Sequence, residues 1–154
     1  MSEVYRLARD FKRRYPNTVA FRLKEHAKVI EQHLNPNEEI KYLFLGQKNK
    51  GTFDFVNTYI IAITNQRIML ATKRIVFGYF FKSISFDLYN DFTISCGLIW
   101  GRIIIDTVKE KILLSNIDKD ALPEIETNFT TLVSELKREY LDKDKEYYIV
   151  YYSF

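Results

Sequence analysis

The rhythm of apolar residues changes near residue 39, and that change dictates the fold class. Before it, apolar residues recur every three or four positions, the period of a helix. Val4, Leu7, Ala8, Phe11 and Tyr15 form a first stripe, with Ser2 placed to cap it. Pro16-Asn17 interrupts, because proline turns the preceding residue away from helical backbone. Val19, Leu23, Ala27, Ile30 and Leu34 form a second stripe, capped by Asn17 or Thr18 and stopped by Asn35-Pro36-Asn37. From Glu39 the apolar residues alternate, the period of a strand. The pattern predicts strands at Ile40 to Gln47, Phe55 to Thr64, Arg67 to Arg74, Tyr79 to Phe86, Asp91 to Gly97, Gly101 to Val108 and Lys111 to Ser115. Connections this short cannot hold crossover helices, so the strands run antiparallel. A run of seven curls into a sandwich or barrel and so hides its edges.

The helical rhythm then returns. Leu122, Ile125, Phe129, Leu132, Val133, Leu136 and Tyr140 make one stripe, with Asp118 or Asp120 as cap and Pro123 tolerated in the first turn. This amphipathic helix is expected to seal the open end of the sheet. The chain ends in Tyr147-Tyr148-Ile149-Val150-Tyr151-Tyr152-Ser153-Phe154, an uncharged aromatic run that reads as a strand in need of a partner: the domain's own sheet, the N-terminal helices or another chain, with packing inside the chain expected first. The order is therefore α+β: two N-terminal helices at 1–34, a strand-rich domain closed by a helix at 35–141, and an aromatic tail at 142–154.

Composition narrows the function. With 154 residues, 47% of them apolar, the chain can bury a sizeable core as one domain with appended elements. Cys96 is the sole cysteine and sits among apolar neighbours, which reads as an inert core thiol in a reducing compartment. The charged start lacks the apolar stretch of a signal peptide, and no run is long enough to span a bilayer. A cytoplasmic location is the expectation.

Catalytic constellations are missing from the pattern. His26 and His33 lie seven apart on one helix, about 10 Å along its axis, too far to share a metal. The five glycines are scattered and form no phosphate loop. No enzyme activity, cofactor or metal is expected.

Two groups of cations stand out. Lys48, Lys50, Arg67, Lys73 and Arg74 fall in or beside the hairpin turns, where one rim of the sheet could meet an anionic partner. Arg6, Arg9 and Arg13 share a face of the first helix. Base-reading and stacking motifs do not accompany them, so nucleic acid is not the expected partner.

Two segments carry a family resemblance: Leu34-Asn35-Pro36-Asn37-Glu38-Glu39-Ile40 before the first strand, and Ala62-Ile63-Thr64-Asn65-Gln66-Arg67-Ile68 at the second turn of the sheet. With Phe81 to Leu88 and the last helix in weaker support, the chain resembles bacterial PH-like domains, in particular the YokE-like group, over residues 34–141. The resemblance implies a PH-like seven-stranded bent sheet or barrel, capped by the C-terminal helix. It also implies a scaffold that presents loops to lipids or peptides. PH domains that bind phosphoinositides hold basic residues in and after the first hairpin. Here Lys48 and Lys50 occupy that hairpin and the next basic residue is Arg67, so the pattern is incomplete. The reading is a non-catalytic module for protein–protein interaction, self-association included, with Tyr148, Val150 and Tyr152 of the tail pairing with another strand. The alternative is peripheral binding to anionic membrane lipids through the basic turns.

Overall fold

A computed structural model describes residues 1–48 and 57–152. Seven strands follow the predicted places: β1 (Ile40–Gln47), β2 (Thr58–Thr64), β3 (Ile68–Lys73), β4 (Tyr79–Ile84), β5 (Tyr89–Cys96), β6 (Trp100–Thr107) and β7 (Lys111–Asp118). They form one antiparallel sheet in the order β4-β3-β2-β1-β7-β6-β5, curled into a half-barrel. The expected first hairpin turn, and the start of the expected second strand at Phe55, lie outside the described residues. The sheet bends where β1 meets β7, since only Gln47 and Ser115 are partners there. Gly46 permits this close crossing: a Cβ on it would sit 3.3 Å from the Leu114 Cβ.

Two helices precede the sheet: α1 (Glu3–Arg14) and α2 (Leu23–His33). The Ser2 hydroxyl caps α1 by accepting the Tyr5 N–H at 3.2 Å, and donates in turn to Glu31 of α2. α2 starts later than the sequence suggests. Residues 17–21 instead form a strap laid across the sheet, because better partners wait there than a first helical turn provides. Val19 N–H donates to the Asn116 carbonyl at 2.9 Å and Phe21 N–H to Thr58 Oγ1 at 3.0 Å. Thr18 Oγ1 accepts the Asp118 N–H at 3.0 Å. Arg22 turns the strap into α2 with φ 56° and ψ 43°, a left-handed conformation that costs a residue with a Cβ about 1–2 kcal/mol. Its guanidinium rests on the Lys73 carbonyl at 3.2 Å.

Burial shows why the helices matter. β6 and β7 keep the alternation of a sheet with one wet face. β2 and β3 are buried on nearly every residue, so both of their faces are covered. The register defines the two layers. Residues opposite one another share a face, and Leu45, Ile60, Ala71 and Phe81 form one such row. It ends under α2, where the His33 ring stacks on Phe81 at 3.8 Å. Phe44, Ile61, Leu70 and Lys82 form the row on the opposite face, inside the half-barrel. Phe11, Ala27 and Ile30 of the N-terminal helices are fully buried in the same core as Phe44 and Phe129.

The last helix, α3 (Leu122–Tyr152), closes the inside. Phe129 is its anchor: its ring lies 4.7 Å from Phe92, 5.6 Å from Tyr89 and 6.3 Å from Phe44. Asp118 caps the short 3-10 turn that leads into α3, rather than α3 itself, by accepting the Asp120 N–H at 3.0 Å. Another expectation is corrected. The aromatic tail is not a strand; its backbone continues α3 as far as Tyr152. A helix already nucleated adds residues at little cost, and β propensity yields to that context.

Candidate functional site

The two segments that carry the family resemblance meet in space, and their meeting removes Arg67 from the rim. Glu38 is buried to the end of its side chain. It accepts from Arg67 Nη2 at 3.0 Å, Arg67 Nε at 3.1 Å, the Asn35 N–H at 3.0 Å and the Thr64 hydroxyl at 2.6 Å. Burial alone would raise its carboxyl; these four bonds outweigh that and hold it below the usual range. Arg67 also donates to the His33 carbonyl at 2.5 Å and lies over Phe81. Asn65 reinforces the clasp, donating to the Asn37 carbonyl at 3.1 Å and accepting the Glu39 N–H at 2.9 Å. Arg67 is thus a structural clasp at the β2–β3 turn. Lys73 and Arg74 lie at the other end of β3, about 20 Å away at strand rise.

That other end holds the candidate site. Antiparallel pairing brings the end of β1, the start of β2 and the β3–β4 turn to one rim. Lys48 leaves β1 there with its ammonium 5.2 Å from the Phe80 ring centre and 6.0 Å from Tyr59. Such placement over aromatic faces attracts the cation while leaving it partly exposed. Lys73 is partly exposed, and its N–H donates to His26 Nδ1 at 2.7 Å; Arg74 is exposed. Lys50 lies outside the described residues.

Two cations missed by sequence reasoning join them. Lys82, on the inward row of β4, forms an ion pair with Glu110 of the β6–β7 turn. This pair ties the end strand β4 to the far side of the sheet, where the Val108 N–H to Leu88 carbonyl bond, at 2.8 Å, extends the β5–β6 pairing. Burial first, then the positive charges of Lys48 and Lys109, depress the Lys82 ammonium. Lys48, Lys82 and Lys109, from three elements, thus lie near enough at the mouth of the half-barrel to feel one another's charge, with Glu110 paired to Lys82 among them. The signal was a lysine among inward apolar positions, between Phe80 and Ile84. An inward charge on an end strand also discourages edge pairing.

Other expectations resolve as follows. Arg6, Arg9 and Arg13 do share an exposed face of α1, around a shallow hollow that also includes Asp10. Arg13 is paired with Asp10 at 2.5 Å, and Arg9 lies over Tyr5. Tyr148, Val150 and Tyr152 belong to a helical backbone, so the strand alternation that grouped them does not apply. Cys96 is exposed at the end of β5 rather than buried in the core. His26 and His33 each serve packing and backbone hydrogen bonds. Among the described residues no group of three His, Cys, Asp or Glu is arranged to hold a metal. No described helix is long and apolar enough to cross a membrane.

Comparison with known families adds one finding. The family model described as bacterial PH domain matches residues 34–129, more than half of the chain. The match begins at the clasp and ends at the anchor of α3. No curated protein matches.

Proposed function

The chain belongs to the bacterial PH domain family, and from that premise we propose that it is a non-catalytic binding module that docks on an anionic membrane surface through the rim of its half-barrel. The family is typically one of binding modules, and a fold by itself leaves the ligand open. The observation that carries the lipid reading is the convergence of Lys48, Lys82 and Lys109 on the mouth, with Lys73 and Arg74 beside it. Glu110 offsets one of these charges, and an anionic headgroup relieves the repulsion among those that remain. Each cation near an anionic bilayer contributes about 1 kcal/mol, and salt weakens the attraction.

The experiment is co-sedimentation with phosphatidylglycerol and phosphatidylcholine vesicles at rising salt. Binding to the anionic vesicles alone, falling with salt and lowered about 100-fold in K48A/K82A/K109A, supports the reading. Equal recovery with neutral vesicles, or none with either, rejects it.

A protein partner is the second reading, and one observation favours it. β5 is an end strand, and it runs into exposed Leu98, Ile99 and Trp100. A peptide or a second copy adding to that edge would pair its backbone there. Light scattering on the full chain and on L98S tests the self-association form: a dimer lost in L98S supports it, and a monomer throughout rejects it.

A further inference from the structure

The β3–β4 connection carries its apolar residues on the outside. Lys73-Arg74-Ile75-Val76-Phe77-Gly78 turns the chain, closed by the Arg74 N–H on the Gly78 carbonyl at 3.1 Å. Gly78 sits at φ 69°, which a residue with a side chain rarely adopts, so the turn is shaped by its glycine. Between them Ile75, Val76 and Phe77 are 62%, 76% and 83% exposed. A turn is normally polar, and among the described residues nothing covers these three consecutive apolar side chains at its tip.

The surroundings match one kind of partner. Lys73 and Arg74 form the base of the tip on one side. Phe21 and Arg22 stand next to it. Phe21 is exposed, with its N–H on Thr58 Oγ1, and the Arg22 guanidinium lies on the Lys73 carbonyl. Apolar side chains at a tip with cations around its base match the layered chemistry of an anionic bilayer. Acyl chains lie beneath a negative headgroup plane, and basic residues remain at that plane while apolar ones enter below it.

We infer that Ile75, Val76 and Phe77 form a wedge that inserts into the acyl region of an anionic membrane while Arg22, Lys73 and Arg74 hold the headgroups. The inference rests on the membrane reading above and adds penetration to it. Electrostatic docking alone leaves the tip in water; insertion makes binding partly insensitive to salt and dependent on apolar area.

Phe77→Trp provides the reporter. The chain has a single tryptophan, Trp100, so subtracting the parent spectrum isolates the tip. Phosphatidylglycerol vesicles doped with lipid brominated on the acyl chain are titrated into both proteins. The expected result is a blue shift of the tip emission and quenching by the brominated chains, with F77S binding the same vesicles about tenfold more weakly. Circular dichroism and unfolding curves confirm that F77S is folded, as expected for so exposed a residue. Vesicle binding by F77W with no blue shift and no quenching overturns the wedge and leaves surface docking standing. Unchanged binding of folded F77S overturns it equally. Absence of any vesicle binding by the parent protein overturns the membrane reading and the wedge together.

Discussion

Lowering the pH from 7.5 to 5 should remove about 2 kcal/mol of stability through a single side chain, His26. Its ring is buried between α2 and the end of β3, with Nδ1 accepting the Lys73 N–H at 2.7 Å. An acceptor nitrogen carries no proton, so charging the ring breaks that bond. Burial, and then the neighbouring Arg22 charge, push the imidazole down to about 4 from 6.5. In the unfolded chain it titrates near 6.5. Between those values the unfolded chain binds a proton that the folded chain refuses, so stability is full above 6.5 and falls as pH drops toward 4. At about 1.4 kcal/mol per pH unit the whole separation is worth roughly 3 kcal/mol, about 2 of which are lost by pH 5. Glu38 and Asp10 are held below their usual range, so their losses come in more acid solution. Urea unfolding followed by circular dichroism at pH 7.5, 6.5, 5.8 and 5 measures the slope. His26→Asn keeps an oxygen where Nδ1 stood but cannot take up the proton. It should start less stable, for lack of the ring, and then stay flat. A parent protein of constant stability over this window, or an Asn variant that falls in parallel with it, refutes the reasoning.

Three further substitutions test the frame. Phe129→Ala empties the centre of the Phe44, Tyr89 and Phe92 cluster and should cost about 3–5 kcal/mol in urea unfolding. Arg67→Met leaves the Glu38 carboxylate buried without its cation and should cost about 3–5 kcal/mol, while vesicle binding per folded molecule stays unchanged. Gly101→Ala places a methyl against the Leu122 side chain, which should cost about 1–3 kcal/mol; G101A/L122A should cost less than the two single changes added together.

Period and turn chemistry made the strands and their direction legible, because both are local properties. β1 is written in Ile40 to Gln47 and found there. What covers each face is not local. Ile60, Ala62, Met69 and Ala71 look like ordinary strand residues, and only the docked helices make them a second core layer. The strap at 17–21 escaped notice because its hydrogen-bond partners, Thr58, Asn116 and Asp118, lie far along the chain. Arg67 resembled a turn cation for the same reason: Glu38 is 29 residues away. Lys82 needed the register, which places it opposite Leu70 on the inward face. Cys96 has apolar neighbours in sequence, yet it ends an edge strand, where water reaches it.

The two-sided covering of β2 and β3 separates kinship from foldability. A fragment cut at residue 34, where the family match begins, would keep every strand and the Glu38–Arg67 clasp. It would also lay bare a wall of Leu43, Leu45, Ile60, Ala62, Met69 and Ala71 against which α1 and α2 now lie. So broad an oily surface invites clumping. The smallest stretch of this polypeptide expected to stay dispersed in water is therefore longer than the stretch the family model covers.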